Sequence, residues 1–339
     1  MVRRCLLVLS LTLPAAHSQA ALGAGAPSAA QRSNSPAVAD KFQAWKTAAA
    51  AALIARADAN SLATAAALLR YGGPVSPKAA AARSDPAVLD LAARASELAP
   101  LDASIGWLHL QLCAGTPNCD IRDTATVMRW VDADNAAAWL QTLATAHKDR
   151  DSMEVDRILA DMAQGPRFDF YWNRTVVLMV DALVAARGEL PAGFASSDAA
   201  RLTMSGGIAS AEIIPPITAL LEACRESSGA AERRELCLKL SKTMQRGDTI
   251  AAQMAGFSIE RHLHAPDSKE ARAVAERRHA LEWRVAEAAK FDSALLPWTR
   301  NARARSRLAQ MRAMPREEDV CIAILRKHKM ALEPPEAHP

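Results

Sequence analysis

The sequence is poor in aromatic residues, which make up only 4% of its 339 residues, and it contains only two tyrosines. Aromatic and β-branched residues favour strands, whereas Ala, which is abundant throughout this chain, has the highest helix propensity. The formal net charge is only +4, and a nucleic-acid-binding protein usually carries a larger basic excess with aromatic residues between the charges. The sequence therefore predicts an all-α protein without a nucleic-acid partner.

The motifs of the common enzyme classes are also absent. The chain has no HExxH, GxSxG, P-loop or GxGxxG motif, and it has no CxxC pair for zinc. Two of its eight histidines, His262 and His264, are close in sequence, but on a helix they would point to different faces. Glu226 and Ser227 resemble the Glu-Ser pair of lytic transglycosylases, but the Gly-rich continuation of that motif is missing. We therefore expect no metal, no cofactor and no evident catalytic activity.

The chain has no apolar run long enough to span a bilayer, and its first 20 residues have the pattern of a secretory signal peptide. Arg3 and Arg4 precede a short apolar run, and "SQA" at residues 18–20 provides a cleavage site of small residues. The alternative is a buried N-terminal helix. Residues 21–36 are rich in Ala, Gly, Ser and Pro and are expected to form a flexible linker. We expect an exported protein, either periplasmic or secreted.

Five cysteines remain after such cleavage, and in an oxidising compartment neighbouring pairs form disulfides. Cys113 and Cys119 flank "AGTPN", whose Gly, Pro and Asn favour a turn that brings the two ends together. Cys224 and Cys237 flank "RESSGAAERREL", which fits a helix end, a turn and the start of the next helix. Both pairs are therefore expected to link the two helices of a hairpin. Cys321 has no cysteine near it in sequence and is expected to stay a buried thiol.

Three tryptophans recur at a nearly constant period. Trp139 lies 32 residues after Trp107 and 33 residues before Trp172. A fixed period in the thirties with two helices per period is typical of stacked helical hairpins, in which each hairpin buries its apolar face against its neighbours. The alternative is a coincidence among seven tryptophans. The period predicts that the three indoles occupy equivalent core positions of a repeat.

This pattern resembles the tetratricopeptide-repeat superfamily over residues 84–187: a Trp in the first helix, small residues where helices cross, and a Pro between units. Pro100 and Pro166 match the terminal Pro of the family pattern, but Ala133 replaces it in the middle unit, and the Gly-x-x-Tyr portion is missing. Two C-terminal segments, "LLEACRESSGAAERRELC" and "AERRHALEWR", are similar to uncharacterised exported helical proteins of proteobacteria. The resemblance implies an architecture and a habit of binding, and it implies no chemistry.

The implied architecture is an α-solenoid of stacked, degenerate helical hairpins at residues 37–190. A C-terminal helical region follows at residues 191–339, where the period is lost. We expect the solenoid to bind a protein or peptide in its concave groove. The alternative function is a cell-envelope glycan-active enzyme whose site is assembled from scattered acids, and in that case two carboxylates should face one pocket about 5–10 Å apart. The sequence specifies neither the partner nor the oligomeric state.

A run of arginines occurs in "RNARARSRLAQMRAMPR". One interpretation is a basic face for phosphate, lipid headgroups or an acidic partner. The competing interpretation is a solvated helix face whose charge is balanced by the acids that follow. We favour the second, because no aromatic residues lie between the arginines for base stacking. The candidate basic face comprises Arg300, Arg303, Arg305 and Arg307, and the balancing acids are Glu317, Glu318 and Asp319.

Overall fold

The computed structural model describes residues 36–71, 85–114, 116, 119–226, 231–293 and 300–335. The expected signal peptide and nearly all of the expected linker therefore lie outside the described residues. Regular structure in the described ranges is helical, apart from one isolated bridge between Asn135 and Arg167, and the predicted all-α class is confirmed.

Fifteen α-helices lie in these ranges, and a short 3-10 helix, Ala136–Trp139, directly precedes α6. They are α1 (Pro36–Arg56), α2 (Ala59–Arg70), α3 (Pro86–Leu98), α4 (Ala103–Ala114), α5 (Ile121–Val131), α6 (Leu140–Lys148), α7 (Ser152–Met162), α8 (Trp172–Ala185), α9 (Asp198–Glu212), α10 (Thr218–Glu226), α11 (Ala231–Met244), α12 (Ile250–Leu263), α13 (Lys269–Ser293), α14 (Arg300–Ala313) and α15 (Glu317–Lys327).

Short polar side chains fix many of the helix starts. The Asp120 carboxylate accepts hydrogen bonds from the backbone N–H groups of Arg122 and Asp123, both at 3.0 Å, where α5 begins. The Asp151 carboxylate accepts one from the N–H of Glu154 at 3.0 Å, where α7 begins. These contacts satisfy amides that have no acceptor inside the helix, so the positions at which the helices begin are encoded locally.

Consecutive helices pack against each other as hairpins. α1 packs on α2, α2 on α3, α3 on α4, α4 on α5, and α6 on α7. The α4–α5 contact is close, because a Cβ atom built at Gly106 would lie 3.4 Å from the sulfur of Met128. Packed helical hairpins are thus present, while the finer arrangement as tetratricopeptide-type repeats stays a prediction.

The second half of the chain covers the first half. α8 returns to pack on α2 and α4, α9 contacts the same two helices, α10 packs on α6, and α11 packs on α7. The buried apolar side chains of residues 37–190 and of residues 191–339 belong to one continuous core. The inner faces of the first hairpins are therefore occupied by the protein's own later helices.

Trp107 lies at the centre of this core and is fully buried. Its indole ring stacks on Phe170 at 5.6 Å between ring centroids, and its Nε1–H donates a hydrogen bond of 2.9 Å to the Ile213 carbonyl at the end of α9. A buried indole needs such an acceptor, since an unpaired N–H in an apolar core is costly. Trp107 thus joins α4 to the loop before α8 and to the end of α9.

The structure contains both expected cysteine pairs at disulfide distance. The Cα atoms of Cys113 and Cys119 are 5.4 Å apart, and those of Cys224 and Cys237 are 5.6 Å apart. The first pair closes the turn between α4 and α5, and the second joins α10 to α11. Cys321 is buried in α15 and belongs to neither pair.

Two helix glycines provide a matched test of the packing. A Cβ atom at Gly256 in α12 would lie 2.7 Å from the Ser241 carbonyl oxygen and 2.9 Å from the backbone nitrogen of Gln245, whereas one at Gly206 in α9 would meet nothing within 4 Å. We expect Gly256→Ala to lower the free energy of unfolding by about 1–3 kcal/mol through overpacking. Gly206→Ala should raise it by about 0.5–1 kcal/mol through helix propensity. Urea denaturation of both variants checks this, and equal effects would contradict the close α11–α12 crossing.

Candidate functional site

The most exposed large aromatic side chain in the described residues is Trp130, near the end of α5. Trp130 is 75% exposed, and Val127, one turn earlier on the same face, is 58% exposed. The opposite face of α5 is buried through Ala125 and Met128. Single exposed apolar residues are ordinary, but a Trp and a Val side by side on one helix face form an apolar patch. We call Val127 and Trp130 the α5 patch.

A second surface feature lies at the same end of the α4–α5 hairpin. Because the two helices are joined by a short turn and run antiparallel, the start of α4 lies beside the end of α5. Leu101, just before α4, is 73% exposed and forms part of the wall of an open cleft of about 490 Å³. This cleft lies between the starts of α2 and α4, the middle of α8 and the end of α14.

Two carboxylates line this cleft, and both are already engaged. Asp102 accepts hydrogen bonds from the N–H groups of Ser104 and Ile105, at 2.9 and 3.2 Å, and from the Ser104 hydroxyl. Asp181 forms an ion pair with Arg312. A general acid needs a proton to donate, whereas these two groups act as ionised acceptors for helix amides and for a guanidinium. The cleft therefore suits binding better than glycoside hydrolysis.

A cluster of polar side chains joins two loops, residues 132–135 and 167–171, away from the cleft. Arg167 pairs with both Asp132 and Asp169, and the Tyr171 hydroxyl donates to Asp132. Asn135 holds the second loop by accepting from the N–H of Asp169 at 2.9 Å and donating to its carbonyl at 2.9 Å. Every group here has a partner within the protein, so we interpret the cluster as a structural clamp.

Tyr171 adopts a left-handed backbone conformation, with φ of 59°, which is costly for a bulky residue. The clamp compensates this cost, since its hydroxyl also accepts from the Asn135 amide at 3.0 Å. Burial, followed by the hydrogen bond to Asp132, raises the pKa of Tyr171, so the phenol stays protonated as a donor. The strain therefore serves to direct the chain into α8.

Two buried carboxyl groups lie where α12 and α15 begin. Asp248 accepts from the N–H of Phe170 at 2.7 Å, and Glu317 accepts from the N–H of Ile250 at 2.8 Å. Burial raises the pKa of Glu317 to about 7, and burial together with the charge of Asp169 raises the pKa of Asp248 well above its usual value. Both groups fasten loops to helix starts and line neither the cleft nor the α5 patch.

The three periodic tryptophans lie at different positions relative to the starts of their helices. Trp107 is inside α4 and fully buried, and Trp172 is the first residue of α8 and is 9% exposed. Trp139 ends the 3-10 helix and is only partly buried, with the guanidinium of Arg129 lying 4.4 Å and that of Arg157 5.8 Å from its ring centroid. All three pack against the core, and their equivalence as repeat positions stays a prediction.

The candidate basic face is largely engaged with the rest of the protein. Arg303 donates to the Phe291 carbonyl, Arg305 pairs with Asp198 at 2.9 Å, and Arg307 lies near enough to Glu317 to oppose the rise of its pKa. Arg300 is exposed. The structure therefore does not bring the four guanidinium groups to one outer face, in keeping with the balanced-face interpretation.

Within the described ranges, no three or more His, Cys, Asp and Glu side chains are grouped so that they could hold a metal ion. No helix in those ranges combines the length and the apolar character that crossing a membrane requires. No known family model, no curated protein and no solved structure matches the chain. The candidate surfaces are therefore argued from their own geometry.

Sequence reasoning did not single out the α5 patch. The signal was present, since the spacing of Val127 and Trp130 places them opposite Ala125 and Met128 on a helix. A helix with apolar residues on both faces gives no indication of which face the core covers. That choice depends on α4 and α6, which pack on one side of α5 only.

Proposed function

We propose that the protein acts outside the cytoplasm as a helical scaffold that binds a partner protein or peptide through the α5 patch. The observation that carries this proposal is the 75% exposure of Trp130 beside Val127. Trp is enriched among the residues that dominate binding energy at interfaces, and an exposed Trp on a rigid helix loses little entropy when it is covered. The helix itself is held by its cap, its disulfide-closed turn and α4.

The signal-like start of the sequence supports an exported location. The two cysteine pairs support it further, because disulfides persist in oxidising compartments and are rare in the cytosol. Periplasmic and secreted destinations are both compatible with these features.

We place the partner on the outer face of α5 instead of in a concave groove. A solenoid groove is lined by the first helices of its hairpins, and here α8 packs on α2 and α4 while α10 packs on α6. A partner would have to displace these helices, and with them the buried contacts of Trp107. The outer face of α5 needs no such displacement.

The alternative function, a glycan-active enzyme, would use the acids of the cleft. Asp102 and Asp181 do line one cleft, but each is engaged with protein donors. Hydrolysis of cell-wall glycan that is lost in both Asp102→Asn and Asp181→Asn would favour the enzyme, and activity unchanged in both would exclude these acids as catalysts.

Replacement of Trp130 tests the binding proposal. We expect Trp130→Ala to reduce partner retention by at least about tenfold while the melting temperature stays near that of the unmodified protein, because the side chain is exposed in the free protein. Retention is measured by affinity capture from the exporting cell with the disulfides intact. Met153→Ala is the matched control, since Met153 is 82% exposed on α7. Equal retention by both variants would contradict the proposal.

A further inference from the structure

The cleft between α2, α4, α8 and α14 has a charge that the protein does not balance. Arg312 is paired with Asp181, and Asp102 is occupied by the start of α4. Arg174 lines the same cleft, is exposed, and makes no salt bridge with any carboxylate in the described ranges. One guanidinium therefore faces the cleft without a partner.

The acid that Arg174 influences most clearly is itself committed. The charge of Arg174 acts on Asp169, but the Asp169 carboxylate is paired with Arg167 at 2.7 Å and is fixed in the clamp. Arg174 is thus free to receive a carboxylate from outside, and a guanidinium can bind a carboxylate through two parallel hydrogen bonds.

The rest of the cleft supplies an apolar surface beside this charge. Val177 and Leu178 follow Arg174 on α8, Met311 faces them from α14, and Leu101 stands exposed at the edge. No aromatic side chain lines the cleft to stack on a sugar ring. The volume of about 490 Å³ lies within the range that small-molecule sites occupy.

We propose that this cleft binds a carboxylate joined to a short apolar chain, with Arg174 receiving the carboxylate and the apolar wall receiving the chain. The same chemistry is offered by a medium-chain fatty acid and by the C-terminal residue of an apolar peptide. The site is separate from the α5 patch, so it stands or falls independently of partner binding there.

Calorimetric titration of the full-length exported protein with defined probes tests the proposal. The probes are octanoate and N-acetyl-leucine for the two sources, their neutral amides, and acetate as a carboxylate without a chain. We expect octanoate or N-acetyl-leucine to bind at least about tenfold more tightly than its amide and than acetate. Preference for octanoate identifies the fatty acid, and preference for N-acetyl-leucine identifies the peptide terminus. Binding of neither acid, or equal binding of acid and amide, overturns the proposal.

Substitutions then locate the site. Arg174→Gln should weaken binding of the preferred acid at least about tenfold, and Arg187→Gln, the removal of another exposed arginine after α8, should leave it unchanged. Asp181→Asn should strengthen binding, because it releases Arg312 to add a second guanidinium. Equal affinities of the two arginine variants, or weaker binding by Asp181→Asn in a protein that melts normally, would refute the assignment. None of these variants should alter partner capture through Trp130.

Discussion

Trp107→Ala is expected to lower the free energy of unfolding by about 3–5 kcal/mol, the largest loss we predict for a single substitution. The indole is fully buried, stacks on Phe170 and donates to the Ile213 carbonyl. Its removal leaves a cavity at the point where α4, α9 and the loop before α8 meet, and it leaves that carbonyl without its donor. Because α8 and α9 are held there, the loss should appear as one cooperative transition at lower urea concentration.

Trp130→Ala serves as the matched control for this experiment. The same change of side chain on the exposed face of α5 should alter the free energy of unfolding by less than about 0.5 kcal/mol. Urea denaturation followed by circular dichroism compares the two. Similar midpoints for Trp107→Ala and the unmodified protein would show that the second half of the chain does not pack on α4 as the structure describes.

The second large effect is a gain. Glu317→Gln should raise the free energy of unfolding by about 3 kcal/mol at pH 8 and by less than about 1 kcal/mol at pH 5. Burial raises the pKa of Glu317 from 4.5 to about 7, so at pH 8 the folded protein carries a buried negative charge. Gln removes that charge, and its amide oxygen can still accept from the N–H of Ile250.

The direction of the pH dependence follows from the raised pKa. The folded protein binds the Glu317 proton more tightly than the unfolded chain does, so this group favours folding most below pH 4.5 and progressively less as the pH rises through about 7. Asp248, whose pKa is raised in the same way, acts in the same direction. Glu317→Gln should therefore flatten the decline in stability between pH 5 and pH 8.

Glu276→Gln is the control, because Glu276 is an exposed glutamate of α13. It should change the stability by less than about 0.5 kcal/mol at either pH. A Glu317→Gln protein that is less stable than the unmodified protein at pH 8, or equally stable at all pH values, would contradict the buried, proton-binding state of Glu317.

Local features of the fold were predictable from the sequence because their causes are local. The Asp151 cap of α7 depends on residues three positions apart, and the two cysteine pairs depend on short turns. The return of α8 onto α2 and α4 was not predictable in the same way. It joins helices more than a hundred residues apart in sequence, and the apolar face of α8 fits many partners equally well.

The candidate surfaces show the same limit. Trp139 looked like Trp107 in its spacing, yet it lies at a 3-10 end under Arg129, where its indole is only partly buried. The arginine run looked like a surface, yet Arg303 and Arg305 bind to neighbouring segments. Exposure is set by which elements cover a helix, and a single chain's periodicity does not report that.

Site-specific photo-crosslinking at position 130 in the exporting cell tests the central claim most directly. A benzophenone side chain is placed at Trp130 and, in a second protein, at Met153, and the products are compared after illumination. The account predicts a discrete crosslinked product from position 130 that is absent from position 153. Identical products from both positions, or none from position 130, would contradict binding of a partner through the α5 patch.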